Sequence, residues 1–250
     1  MEAHGREGEI RVGRTIWQKN GANQSPTYPG FTTITITTKS DDKKFYDLGP
    51  YYLRGDNGNI IENIWQFSKV YRKVPYVKEN YTPKSPIIAW EYPEEIHADD
   101  EGNPNENYFK WRKLGTENKY AVRYPVGKSK VSRGSVLYCL TDSGERLGYI
   151  EARKKIYFNV YSKAAMKHKL FLELLSRVKS GENILICETD GPHQESLDYY
   201  KDKYGVDNSF IENGTMLAND KNIGIMLNDS KYAFGHGYCL AQMLMYFSKL

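Results

Sequence analysis

Apolar positions recur along this chain in two rhythms, one suited to strands and one to helices. The period of two is plainest in Thr32–Thr38, TTITITT, which predicts a strand with Ile34 and Ile36 turned inward. YAVRYPVG (120–127) and SVLYCL (135–140) carry the same signal, and ENILICET (182–189) has the compact apolar run of a buried strand. The helical period opens near Ile60 in IIENIWQFSKVY and returns briefly around Asn105–Leu114. It then holds from about Ile150 to Val178, with Ile156, Val160, Leu170, Leu174 and Leu175 as core positions. One helical turn is expected over Tyr199–Tyr204, and a strong amphipathic helix over the C-terminal YCLAQMLMYFSKL.

Between these lie turn formers. SDDKK, the Gly-Pro break and DNG turn of FYDLGPYYLRGDNGNI, the DSGERLG turn and the DGPHQES loop all interrupt the periodic segments. Tyr76–Tyr108 is rich in Pro, charge and turn residues and reads as a long excursion. Met1–Pro29 is polar and rich in Gly, Asn and Gln, so residues 1–30 are expected to form a mobile tail that packs only in part, through Ile16 and Trp17. Ordered structure is expected to begin near Phe31. The pattern predicts an α+β fold: one domain over residues 31–250, with a small mixed sheet carrying strands at Thr32, Val122, Val136 and Ile184. Helices beginning near Ile60, Ile150 and Tyr238 should enclose it. No internal repeat or dividing linker is evident.

Composition narrows the setting. The three cysteines, Cys139, Cys187 and Cys239, are odd in number and form no CxxC pair, which argues against a disulfide scaffold and for a reducing compartment. No apolar signal region and no run of 18 apolar residues occurs, so a cytoplasmic location is expected, or a nuclear one in a eukaryote, with no membrane partner. The sequons at Asn23, Asn213 and Asn228 then read as ordinary polar loops. A formal charge of +4 and a pI near 8.7 suit an anionic partner but fall short of a dedicated nucleic-acid domain. The five histidines show no metal-ligand spacing, and neither a P-loop, a GxGxxG after a strand nor a GxSxG elbow is present, so no metal or cofactor is expected.

The candidate chemistry starts in the first helix. Glu62, Gln66 and Lys69 sit at i, i+4 and i+7, within roughly 60° of one another if the helix runs on. Ile61, Ile64, Trp65, Phe67 and Val70 fill most of the remaining circumference, so this polar stripe faces either solvent or an internal cleft. Glu188 ends the buried strand, where it serves a site or caps a loop. Asp190 and His193 belong to a turn, with His193 an acid/base group or a plain turn residue. The FGHG segment, with Phe234, Gly235 and Gly237, either offers backbone N–H groups to a pyrophosphate or is simply a helix entry; Phe234 stacks on a ring or fills the core. Arg123 and Arg153 are phosphate partners or surface arginines.

GDNGNIIENIWQFSK resembles the motif of the NADAR family, in which a glutamate, a glutamine four residues on and a lysine seven residues on follow an LSNF-like segment, here DLGPYY. ENILICET is similar to the family strand that ends in a glutamate. DSKYAFGHGYCLAQMLM is similar to its D-x-x-W-G-x-G segment and following helix, with Phe234 in place of the tryptophan. The blocks span about Ile34 to Met245, with insertions around Pro83–Asn105 and Gly191–Asn219.

The resemblance implies an N-glycosidase acting on ADP-ribosyl conjugates, with Glu62, Lys69 and Glu188 catalytic. Gln66, Tyr51, Arg123, Arg153, Asp190, His193, Phe234, Gly235 and Gly237 would contact substrate. Glycosidic cleavage passes through an oxocarbenium-like state, so Glu62 would stabilise positive charge, activate water or protonate the leaving nitrogen. Lys69 would be a nucleophile, an imine former or a phosphate contact. Some relatives in that family remove ADP-ribose from guanine in nucleic acid, and others act on phosphorylated riboflavin-pathway intermediates. Basic stretches such as KVYRKVPYVK favour the larger polyanion, with an ADP-ribosyltransferase as a functional partner. A non-catalytic ADP-ribose sensor is the alternative. The cleft is expected where the Glu62 helix meets the FGHG turn.

Overall fold

The computed structural model describes residues 6–18, 23–37, 44–81, 88–127 and 136–250. Thr38, most of the SDDKK turn, Pro83, and residues 1–5 and 19–22 of the polar N-terminal segment lie outside that set. The described residues form a mixed α/β structure with small sheets and no barrel. None of its helices is long and apolar enough to cross a membrane.

The strands are β1 (Ile10–Arg14), β2 (Ile16–Trp17), β3 (Asn23–Gln24), β4 (Thr32–Thr35), β5 (Lys69–Tyr71), β6 (Lys73–Val74), β7 (Val77–Tyr81), β8 (Ile88–Tyr92), β9 (Glu95–Ile96), β10 (Val136–Leu140), β11 (Arg146–Leu147), β12 (Ile184–Glu188) and β13 (Thr215–Leu217). The α-helices are α1 (Ile61–Phe67), α2 (Glu106–Thr116), α3 (Tyr149–Ala152), α4 (Asn159–Met166), α5 (Lys169–Lys179), α6 (Leu197–Tyr204), α7 (Asp220–Asn228) and α8 (His236–Ser248). A π-helical segment, Arg153–Phe158, joins α3 to α4. The chain divides into two compact units, unit 1 comprising Met1–Gly49 with Ser162–Leu250, and unit 2 Pro50–Tyr161.

Unit 1 is organised by a four-stranded sheet in the order β13-β1-β12-β4. β12 lies parallel to both β1 and β4, while β13 runs antiparallel on the far side of β1. All five residues of ILICE in β12 are buried, as its continuous apolar run requires. Ile34 and Ile36 are buried as expected. The beginning of order near Phe31 is corrected, because β1 is an inner strand with Ile10 and Val12 buried. Its arginines find partners within the unit: Arg11 Nε donates to Thr215 Oγ1 at 2.9 Å with its guanidinium over the Tyr28 ring, and Arg14 donates to Glu195 at 2.8 Å. Ile16, expected to pack, is exposed in the β2–β3 hairpin. The C-terminal helix α8 is buried on nearly every face rather than along one stripe; it packs on β1, β12, α5 and α7, so few polar positions remain.

In unit 2 the strand at Val136 pairs with β5 and β11 in a separate three-stranded sheet, which corrects the single sheet expected to hold it beside Ile184. YAVRYPVG is not a strand. Its backbone is occupied by the fully buried Asn63, whose Nδ2 donates to the carbonyls of Asn118 and Tyr120 at 3.1 and 2.9 Å and whose Oδ1 accepts from Val122 N–H at 2.7 Å. The Tyr76–Tyr108 excursion contains the paired strands β7 and β8, then β9, which pairs back to β6 just ahead of it, and leads into α2, which Asn105 caps by accepting from Tyr108 N–H. Phe67 lies against Trp90 and Trp111, at ring distances of 5.0 and 4.5 Å, in the space that Gly115 leaves by lacking a Cβ. That aromatic core fixes the C-terminal end of α1.

Candidate functional site

The helix carrying Glu62 stops at Phe67, and Lys69 is the first residue of β5. The expectation of one helix face bearing all three polar groups is therefore corrected. Ser68 Oγ takes the Trp65 carbonyl at 2.8 Å, its own carbonyl accepts from Leu140 N–H at 2.7 Å, and Val70 and Tyr71 are buried as strand residues against β10. Ladder pairing replaces the next helical turn. Yet the three groups still meet: Lys69 Nζ donates to Gln66 Oε1 at 2.7 Å, and Gln66 Nε2 donates to Glu62 Oε1 at 2.9 Å.

The direction of each bond has a chemical meaning. The amide oxygen faces the ammonium and the amide nitrogen faces the carboxylate, so Gln66 spaces two opposite charges and orients both. Glu62 is 7% exposed, while Gln66 and Lys69 are half-buried. Around this array stand Trp65, with Lys69 Nζ 4.9 Å from its ring centre, and Tyr157, 5.4 Å from Trp65. Arg153 was expected to be a phosphate partner or a surface residue; it is 1% exposed on the π-helical segment, its guanidinium over the Tyr149 ring. That segment packs against α1. π-helical turns recur at functional sites because they redirect one side chain. Tyr51 is half-buried, and Arg123 is exposed beside Tyr124.

In unit 1 the sequence-distant residues Glu188, Gly235 and Gly237 come together. Glu188 is fully buried at the end of β12, and its Oε1 accepts the Gly237 N–H at 2.8 Å. A Cβ on Gly235 would collide with the Glu188 carboxylate, and one on Gly237 would lie 2.7 Å from Oε1. The glycines thus fold the helix entry around an internal carboxylate, which occupies the N–H that a pyrophosphate was expected to meet. Sequence reasoning missed His236. Its Nδ1 lies 3.1 Å from Glu188 Oε2, and its Nε2–H donates to the Ile36 carbonyl at 3.1 Å. Both ring nitrogens face acceptors, the arrangement of an imidazolium. Burial pulls its pKa down, but the Glu188 charge and hydrogen bond and the Ile36 carbonyl outweigh that and leave it raised. The only sequence signal was a histidine flanked by glycines ahead of a helix.

Phe234 is buried and stacks on Tyr238 at 5.0 Å, a core placement. Asp190 is exposed. His193 Nδ1 faces Glu195 Oε1 at 2.9 Å, and its ring stacks on Tyr232 at 3.9 Å. The backbone N–H of Glu195, His193 and Arg14 hold that carboxyl down to about 2. Among the described residues no cluster of three His, Cys, Asp or Glu side chains is placed to hold a metal ion. No protein-family model, curated protein or solved structure matches the chain.

Proposed function

We propose that the protein is an N-glycosidase of the NADAR type that hydrolyses ADP-ribosyl conjugates, most readily ADP-ribose linked to guanine in nucleic acid. The observation that carries this reading is the Lys69–Gln66–Glu62 relay, a buried carboxylate and a cation held apart by one oriented amide. A buried carboxylate oriented by a fixed amide is suited to an oxocarbenium-like centre, where it stabilises charge and directs water to the anomeric carbon. The bond between the anomeric carbon and nitrogen breaks, a water O–H adds across it, and the proton ends on the leaving nitrogen. Lys69 supplies positive charge for a phosphate oxygen or, when deprotonated, an amine for the sugar aldehyde. Further support comes from unit 1, where two of the blocks that carry the resemblance meet through Glu188 and Gly237.

The test is to incubate the protein with an oligonucleotide bearing ADP-ribosylated guanine and to follow free ADP-ribose by mass spectrometry. Release by the wild type, falling at least about 100-fold in Glu62→Gln, is expected for the loss of an acid/base group. Equal release by both proteins would remove Glu62 from the chemistry. No release by either, with tight ADP-ribose binding by both, would favour a sensor. A phosphorylated riboflavin-pathway intermediate in the same assay separates the third reading. Lys69→Ala retaining its full single-turnover rate would leave Lys69 as a phosphate contact only.

A further inference from the structure

The reach of Lys69 Nζ to Gln66 depends on how the chain leaves α1. A helix ends with carbonyls that lack an intrahelical partner, and the groups that satisfy them set the path of the next residue. At this end Ser68 Oγ donates to the Trp65 carbonyl at 2.8 Å. The Phe67 and Ser68 carbonyls share the hydroxyl hydrogen of Tyr108, at 3.4 and 3.3 Å, and the Ser68 carbonyl also accepts Leu140 N–H at 2.7 Å. The Ser68 oxygen belongs to the peptide group whose nitrogen is that of Lys69, and such a plane turns as one unit. Two donors on one oxygen, one from α2 and one from β10, thus fix the plane from which the Lys69 side chain sets out.

Tyr108 is fully buried against His97 and Trp111. Packing alone does not call for a tyrosine there. A phenylalanine would fill the same space without burying a hydroxyl, whose desolvation has to be offset by bonds. The hydroxyl makes those bonds at the junction, with the Arg112 guanidinium, one turn further along α2, against the same oxygen. Burial pushes the phenol up in pKa, so it remains an O–H donor at neutral pH. We propose that Tyr108, together with Ser68, is a positioning residue for the Lys69–Gln66–Glu62 relay. Its hydroxyl fixes the junction of α1 and β5 so that Lys69 Nζ meets Gln66 Oε1, and the amide held in this way presents Nε2 to the Glu62 carboxylate. The proposal rests on the reading of the relay as the reacting array, and it couples α2 to that array.

The experiment follows the Gln66 side-chain amide and the Lys69 ammonium of the full chain in proton–nitrogen correlation spectra, assigned by Gln66→Glu and Lys69→Arg. Near-ultraviolet circular dichroism verifies the folding of each variant. Tyr108→Phe removes only the hydroxyl, and Val126→Ala, a truncation elsewhere in the same buried cluster, controls for lost stability. Tyr108→Phe is expected to shift both signals and to speed exchange of the Lys69 ammonium with water by roughly five- to tenfold, the worth of one neutral hydrogen bond. It is also expected to lower kcat for ADP-ribose release by about tenfold with KM unchanged, the effect of a misplaced group rather than of weaker binding. Ser68→Ala is expected to act in the same direction, and it decides the matter if Tyr108→Phe does not fold. Val126→Ala should leave both signals in place. Unmoved signals in Tyr108→Phe and Ser68→Ala, or an equal shift in Val126→Ala, overturn the proposal. In an active enzyme, shifted signals with an unchanged kcat overturn it as well. A wild type without glycosidase activity would refute the function proposed above, while the spectra would still decide whether Tyr108 sets the relay.

Discussion

Glu188 Oε2 and His236 Nδ1 face each other at 3.1 Å where water is excluded, with the Gly237 N–H on the other carboxylate oxygen and the Ile36 carbonyl on the far ring nitrogen. Removing one member of such a pair leaves the other buried and unmatched, at a cost of about 3 kcal/mol or more. Glu188→Gln is therefore expected to lower the urea midpoint markedly; a loss below about 1 kcal/mol would mean the pair is dispensable. The pH dependence has a definite sign. His236 is raised above the ordinary histidine value of 6.5, so its contribution is complete below that value and is lost as pH rises through the raised one. His97 in unit 2 behaves in the opposite way. It is fully buried among Tyr92, Tyr108 and Trp111, and burial lowers its pKa although Glu95 lies 3.4 Å away. Its contribution is complete above 6.5 and declines as pH falls toward the lowered value. Stability differences between wild type and His236→Gln, and between wild type and His97→Phe, should slope in opposite directions across pH 5–8 when urea midpoints are measured; slopes of the same sign would refute the assignment.

At the scale of elements, α1 and β5 show how a correct grouping can arise from a different geometry. The spacing of Glu62, Gln66 and Lys69 brought them together on an imagined continuous helix, whereas Lys69 reaches Gln66 from a strand. What the sequence did not display was the competitor, the β10 ladder more than sixty residues away. The same limit explains YAVRYPVG, whose strand-like composition is overridden by one buried side chain, Asn63. It explains β1 too, where two apolar residues in five are too few to mark a strand whose arginines bond to distant groups. The helices over 106–116 and 150–178 were legible because their periodicity is local. Two substitutions test these supports. Gly115→Ala forces a methyl into the Phe67 ring and is expected to cost about 2–3 kcal/mol by denaturant unfolding, in the range of overpacked cores. Asn63→Leu should speed amide exchange at Val122 at least tenfold in hydrogen-exchange measurements, the equivalent of about 1.4 kcal/mol, and unchanged protection would show that other contacts hold that segment.

At the scale of the molecule, the order of the segments bears on how the protein comes into being. β1 leaves the ribosome long before the strands it pairs with, since Ile10 aligns with Ile184 and Arg11 with Leu217. The residues of unit 2 are all synthesised in between. Their contacts close within one uninterrupted stretch, so unit 2 can condense while the first strand still has both edges bare. A nascent chain of this kind carries an unpaired strand while unit 2 is made, the state in which edges recruit chaperones or one another. Arrested chains of increasing length should therefore leave Ile10–Arg14 open to protease until β13 has cleared the exit tunnel, and a slow codon just after Tyr161 would lengthen that exposure rather than relieve it.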